Sequence, residues 1–258
     1  MITLISPAKS VNFSAPAPTE LFTSPDLLSH SKQLITQLKR IKKPELMELM
    51  SISENLADLN IPRYKAFKPP FSLDNAKQAL FAFTGDVYQH MRINTYDTEK
   101  LHFAQKHLRI LSGLYGYLRP LDLIQAYRLE MKTPLKTKRG DNLYQFWDKR
   151  ITRALNKDLK TDVSPAIINL ASREYARVVD FKAIKAPVVN IEFKEVENGK
   201  ARVIAIFAKW ARGMMADYII QNNLDEPEQL KAFNISEYEF SKNDSGVSNW
   251  VFTRPRPE

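Results

Sequence analysis

Three polar clusters stand directly behind three apolar runs. Ser6 and Lys9 follow Met1-Ile2-Thr3-Leu4-Ile5; Ser172, Arg173, Glu174 and Tyr175 follow Ile167-Ile168-Asn169-Leu170-Ala171; Lys209, Arg212 and Gly213 follow Ile204-Ala205-Ile206-Phe207-Ala208. If each run is a strand of one α/β sheet, the clusters meet at the carboxyl ends of the strands, where such folds usually hold ligands. Lys209 and Arg212 would then open a helix, where the backbone dipole already presents positive potential. Two cations, free amides and a glycine permitting close approach describe a phosphate site. The alternative is that both side chains point into water. Ser6, Asn169, Ser172, Tyr175 and Lys209 would also suit an enzyme acting on a nucleic-acid base or nucleotide, with Asp122 or Glu130 as the carboxylate, provided that they fold to within hydrogen-bond reach of one another.

Other chemistries find little support. The seven glycines form neither a dinucleotide fingerprint nor a Walker loop, so no nucleotide cofactor is expected. Ser6-Pro7-Ala8-Lys9 matches Ser-x-x-Lys without the companion elements of the hydrolases that use it. Glu99-Lys100-Leu101-His102 is a single Glu-x-x-His where a di-iron bundle needs two, and a solvated helix face explains it better. With four histidines and no cysteine, thiolate metal sites and disulfides are excluded, and no metal is expected. The N-terminus lacks the features of a secretion signal, and no apolar run approaches the roughly 18 residues that cross a bilayer. A cytoplasmic protein away from membranes, acting as a monomer, is the expectation.

The chain has 258 residues, 44% of them hydrophobic, and a net charge of +9. That is enough to bury a large core and to favour polyanionic partners. The charge is clustered. Residues 31–43 hold five cations and no acid, and residues 128–153 hold eight cations against three acids. Tyr115, Tyr117, Tyr127, Tyr144 and Trp147, interleaved with Arg119, Arg128 and Lys149, could stack beside phosphates. Residues 46–57 look like a helix-hairpin-helix DNA-binding element in which Ser51 and Ser53 replace the two turn glycines, with Lys39, Arg40, Lys42 and Lys43 before it and Arg63, Lys65 and Lys68 after it. An ordinary helix pair with a capped turn is the alternative. Gly113-Leu114-Tyr115-Gly116 is a weaker candidate for the same turn.

These residues need elements to position them. The pattern predicts a first strand at the N-terminus, helices across 25–66, a strand over Ala79 to Thr84 and a helix from Thr98 to Arg109. It continues with helical spacing over 143–159, a buried strand from Ala166, and a hairpin of Val188 to Val196 with Ala201 to Ala208 about Asn198-Gly199. A helix from Lys209 and two short strands near Tyr238 and Trp250 complete it. With no repeat or linker, a single α/β (mixed α+β) domain over 1–258 is expected, with a mixed sheet flanked by helices.

The whole chain resembles the YaaA family of bacterial peroxide-stress-resistance proteins. The resemblance is carried by Leu4-Ile5-Ser6-Pro7-Ala8-Lys9, by Leu108-Arg109-Ile110-Leu111-Ser112-Gly113-Leu114-Tyr115-Gly116 with Leu118-Arg119-Pro120-Leu121-Asp122, and by Tyr127-Arg128-Leu129-Glu130-Met131. Asn169-Leu170-Ala171-Ser172 with Glu174-Tyr175, and Lys209 with Ala211-Arg212-Gly213, continue it. It implies one α/β domain with a positively charged cleft, a helix-hairpin-helix-like element, binding to duplex or distorted DNA, and a role in limiting oxidative DNA damage. The leading expectation is a sequence-tolerant DNA binder gripping phosphates through Lys9, Lys42, Lys43, Arg63, Arg109, Arg119, Arg128, Lys209 and Arg212, with Tyr115, Gly213 and the turn at Ser51 and Ser53 adding contacts. The nucleic-acid-directed enzyme is the second reading, and direct iron sequestration a weaker third.

Overall fold

The computed structural model describes residues 1–257. Its first strand, β1 (Ile2–Ile5), is buried along its whole length, as expected of a parallel strand covered on both faces. A long loop leads to three helices, α1 (Leu28–Leu38), α2 (Lys43–Met50) and α3 (Glu54–Ala66). Leu34, Ile35 and Leu38 on α1 face the core at the spacing the sequence predicts.

The strand predicted over Ala79 to Thr84 is a correction. β2 (Lys77–Gln78) is followed by one helical turn, α4 (Ala79–Ala82), whose opening N–H groups donate to the carbonyls of Asp122 and Pro120. A short, fully apolar run carries no period, so sequence alone cannot separate a buried turn from a buried strand. The chain continues through α5 (Asp86–Gln89) to α6 (Thr98–His107), capped by the Asp97 side chain. That helix stops two residues earlier than predicted, because Leu108 opens β3 (Leu108–Ser112). Arg109 therefore belongs to a strand. β4 (Gly116–Leu118) and β5 (Leu123–Ile124) follow.

The helical spacing over 143–159 resolves into α7 (Leu143–Trp147) and α8 (Arg150–Leu159), separated where Asp148 takes a φ of 42°. β6 (Ile167–Asn169), α9 (Arg173–Ala176), β7 (Val188–Glu197) and β8 (Lys200–Arg202) come next, with Asn198 and Gly199 both at positive φ in the predicted hairpin turn. The second hairpin strand is shorter than predicted. α10 (Ala205–Gln221) begins before Lys209, and Ala208, Ala211, Met215 and Ile219 form its buried seam at helical spacing. β9 (Glu239–Ser241) and β10 (Asn249–Pro255) end the fold.

Eight strands make one mixed sheet in the order β4-β3-β1-β6-β7-β10-β9, with β8 also paired to β7. Its five interior strands, β3, β1, β6, β7 and β10, are mutually parallel, and helices flank them. The protein is thus mixed α/β. Three asparagines cross adjacent strands: Asn169 donates to Asn190 at 2.9 Å and Asn190 to Asn249 at 3.1 Å. Because β1, β3 and β6 run the same way, Ser6, Gly113 and Ser172 leave the same sheet edge. Ile2 and Leu108 lie on the opposite edge.

Candidate functional site

Two of the three strand-end clusters converge. The Ser172 N–H donates to Ser6 Oγ at 2.9 Å, and Ser6 Oγ donates to Ser172 Oγ at 3.2 Å. Tyr88 holds the Ser6 carbonyl at 3.1 Å. Ala8 packs against Gly85, where a Cβ would come within 2.9 Å of the Ala8 Cβ, and the next residue, Lys9, reaches Glu130. The Glu130 carboxylate receives Lys9 at 3.0 Å, Arg128 at 2.9 Å and Lys132 at 3.7 Å. Three cations around one carboxylate leave an excess of two positive charges. Burial alone would raise the Glu130 carboxyl, but the hydrogen bond from Lys9 and the fields of Lys9, Arg128 and Lys132 outweigh it and hold the group below its ordinary value. Tyr175 lines the space behind Lys9 with Tyr127, and burial pushes its hydroxyl well above the usual tyrosine range.

A second space shares Lys9, Arg128 and Glu130 with the first and has the turn between α2 and α3 as its other wall. Ser51 sits in the left-handed region at φ 50°, and the N–H groups of Ser51 and Ile52 close back on the carbonyls of Glu48 and Met47. Ser53 is extended and its side chain does not cap α3, so the opening N–H groups of that helix lack a side-chain acceptor from their own N-cap. Ser51 joins Lys9, Arg128, Glu130, Lys132 and Pro134 around a groove of about 360 Å³. Tyr64 of α3 donates its hydroxyl hydrogen to the Arg128 carbonyl, which ties the helix pair to the cationic segment. Lys43 is held by Glu54 and Asp58 across the turn. Lys42 is exposed, and Arg63 is partly buried, with Asn60 Oδ1 at 3.4 Å.

The family model described as "Peroxide stress protein YaaA" matches residues 1–244. The chain belongs to the YaaA family. A "UPF0246 protein" of Cellvibrio japonicus is 47% identical over 257 residues, spanning 100% of both chains.

Several predicted site residues of this YaaA-family chain lie away from the groove. Arg109 and Arg119 line a separate cavity of about 240 Å³ with Ile2, Lys106 and Asp158, on the opposite sheet edge. Arg109 Nε meets Asp158 at 2.8 Å and its Nη1 donates to the carbonyls of Gln105, Lys106 and Leu108, closing the end of α6. Arg119 is held by Asp122 at 2.8 Å and Asp26 at 3.1 Å. Both guanidiniums are committed to internal carboxylates. Tyr115, Tyr117, Tyr127 and Trp147 are core residues, so their rings offer no open stacking face; the Tyr115 hydroxyl accepts the Gln125 N–H at 3.0 Å.

The third cluster is also rearranged. Since α10 starts at Ala205, Lys209 and Arg212 sit in later turns and not at the helix opening, which removes the dipole argument. Lys209 pairs with Asp86 at 3.0 Å. Gly213 serves packing: a Cβ there would come within 2.1 Å of the Val87 carbonyl oxygen, so only glycine lets α10 lie this close to α5. Of the five groups considered for catalysis, Ser6 and Ser172 touch and Tyr175 is nearby in the chain, whereas Asn169 is occupied by Asn190 and Lys209 by Asp86.

Lys132 and the Tyr64 tie were missed. The signal for Lys132 was present: Arg128, Glu130 and Lys132 alternate with buried Leu129 and Met131, which in an extended segment puts all three polar groups on one side. Nothing in the sequence marks Tyr64.

Proposed function

We propose that this YaaA-family protein binds DNA by its phosphates in the groove between the Glu130 cluster and the Ser51–Ser53 turn, and that this is its contribution to the peroxide stress response. The observation that carries the reading is that Lys9, Arg128 and Lys132 share one groove with Ser51 at a helix-turn-helix junction. The cations exceed their single counter-charge, so a polyanion entering the groove finds uncompensated positive potential. The opening of α3, next along the chain from Ser51, has no side-chain cap and keeps backbone donors of the kind a helix-hairpin-helix element offers a phosphate. Lys42 and Lys43 stand at the start of α2 and Arg63 in the last turn of α3, so the same helix pair carries further cations. Contacts of this type read backbone shape in preference to base sequence, so duplex and distorted DNA are the expected ligands.

Three cations engaging three phosphates give a log–log salt slope of about −2.7 and roughly a 40-fold loss of affinity between 50 and 200 mM salt. The test is a salt series on intact, bubbled and oxidatively damaged duplexes, repeated with Lys9→Gln and Lys132→Gln combined. The slope should flatten by nearly two units in the double variant. A slope near zero in the wild type would end the reading.

A second reading, chemistry on a nucleic-acid base, is favoured by the Ser6–Ser172 contact and by the half-buried Tyr175, three residues past Ser172, sharing a space with Lys9. Checking the same binding reactions for strand cleavage or base release separates it from binding alone.

A further inference from the structure

Arg173 adjoins the Ser6–Ser172 contact, and Arg212 lies within the field of Arg173. Arg173 follows Ser172 directly and is the first residue of α9. Arg212 comes from the side of α10, and its Nε is shielded from solvent with no hydrogen-bond partner among the described residues. Neither guanidinium forms an ion pair within 4.0 Å among those residues, whereas Arg109, Arg119 and Arg128 all do. Glu192, on neighbouring β7, is the carboxylate whose field Arg212 feels, but it is engaged by Lys194 at 3.4 Å. Lys209, three residues before Arg212 on α10, is neutralised by Asp86.

This arrangement is costly as it stands. Burial, chiefly, lowers the proton affinity of Arg212; the field of Glu192 opposes this and that of Arg173 adds to it. A guanidinium does not give up its proton near neutral pH, so an anion seated beside it would offset that cost. Gly213, the next residue, packs α10 closely against the Val87 carbonyl, on the helix that carries the shielded Nε.

We propose that Arg173 and Arg212 form a subsite for a dianionic phosphoryl group, a phosphomonoester such as a nucleic-acid strand end or a free mononucleotide carries. An internal phosphodiester brings one negative charge and can neutralise only one of the two cations. A phosphomonoester brings nearly two, with three terminal oxygens that can accept forked N–H pairs from both guanidiniums. The subsite rests on the reading of the neighbouring groove as phosphate-binding only for its macromolecular source. Its chemistry stands on the two unpaired arginines.

The experiment compares nicked duplexes that carry a phosphate or a hydroxyl at the nick, together with dTMP and inorganic phosphate alone. Binding is read by anisotropy for the duplexes and by calorimetry for the small anions. The phosphorylated nick should bind about tenfold tighter than the hydroxyl nick, and Arg173→Gln, Arg212→Gln or both should bring that ratio toward one. Arg173 is exposed, so its variant remains informative if Arg212→Gln fails to fold. Lys9→Gln with Lys132→Gln should weaken both duplexes and leave their ratio in place, which separates the subsite from the groove. If no duplex binds, the groove reading has failed, and saturable binding of dTMP or phosphate that is lost in Arg173→Gln would still support the subsite with a free phosphomonoester as its source. Equal affinity for phosphate and hydroxyl ends with no binding of the small anions, or a preference that survives both substitutions, overturns it.

Discussion

The hydroxyl of Tyr64 on α3 is bonded to the backbone carbonyl of Arg128, so a single side chain fastens the helix pair to the segment that bears the groove's cations. Tyr64 is almost wholly buried, and burial pushes its hydroxyl far above the usual tyrosine value. It therefore stays protonated, and a donor, around neutral pH.

Tyr64→Phe keeps the ring and deletes the bond, leaving the carbonyl without this donor. We expect a loss of about 1 to 3 kcal/mol in urea unfolding and weaker duplex binding as the two walls of the groove lose their tie. Unchanged stability and unchanged affinity together would show that the helix pair is held by packing alone.

Glu130 should report on acid stability. Its carboxyl lies lower in the folded chain than in the unfolded one, so its contribution is fully present above the ordinary carboxylate range and fades as pH falls through the folded value. Glu130→Gln should therefore be less stable than wild type at pH 7, with a shallower loss on acidification below about pH 4.5. At neutral pH it should also bind duplex DNA more tightly, because three cations lose their internal counter-charge. Parallel stability curves for the two proteins across pH 3 to 7 would contradict the ion-pair account.

Arg119 makes the opposite prediction. Its partner Asp122 is only 1% exposed, and removing the guanidinium strands a buried carboxylate at a cost of about 3 to 5 kcal/mol. Arg119→Ala should lower the thermal midpoint sharply while the folded fraction binds duplex DNA as wild type does. Specific loss of affinity at full stability would return Arg119 to the binding surface.

Ser51 holds a left-handed conformation that a Cβ disfavours. Ser51→Gly should stabilise the chain by about 1 kcal/mol and keep the backbone donors of the turn. Ser51→Val should destabilise it, because a β-branched residue tolerates this conformation worst. Denaturant midpoints ordered otherwise would mean that the serine hydroxyl has a role of its own.

The reach of the sequence was uneven for physical reasons. β1, the Asn198-Gly199 hairpin and the helices of 28–66 were legible because their signals are local: an apolar run, a turn dipeptide, a period of 3.6. The run 203–208 misled because its side chains suit either element; the buried seam continuing to Ile219 decides for helix. The ion pairs of Arg109 and Arg119 are not legible in the sequence, because a cation's partner is a long-range fact. Asp158 lies 49 residues from Arg109, and no spacing rule reaches it. Lys9 and Arg128 were found as cations, but their shared carboxylate and the turn opposite them needed coordinates. Glycines were the subtlest case: Gly213 was marked as a ligand contact, while its neighbour is another backbone.

The strand order also constrains how a ribosome can deliver this protein. β1 sits in the middle of the sheet, yet the two segments that flank it are residues 108–112 and 167–169. During synthesis one row of its peptide groups can pair with residues 108–112, but the other must wait for some 160 further residues before the second flank arrives. The nascent chain thus carries an open, sticky edge for most of its elongation, and slowed translation between the two flanks should raise its demand for chaperones.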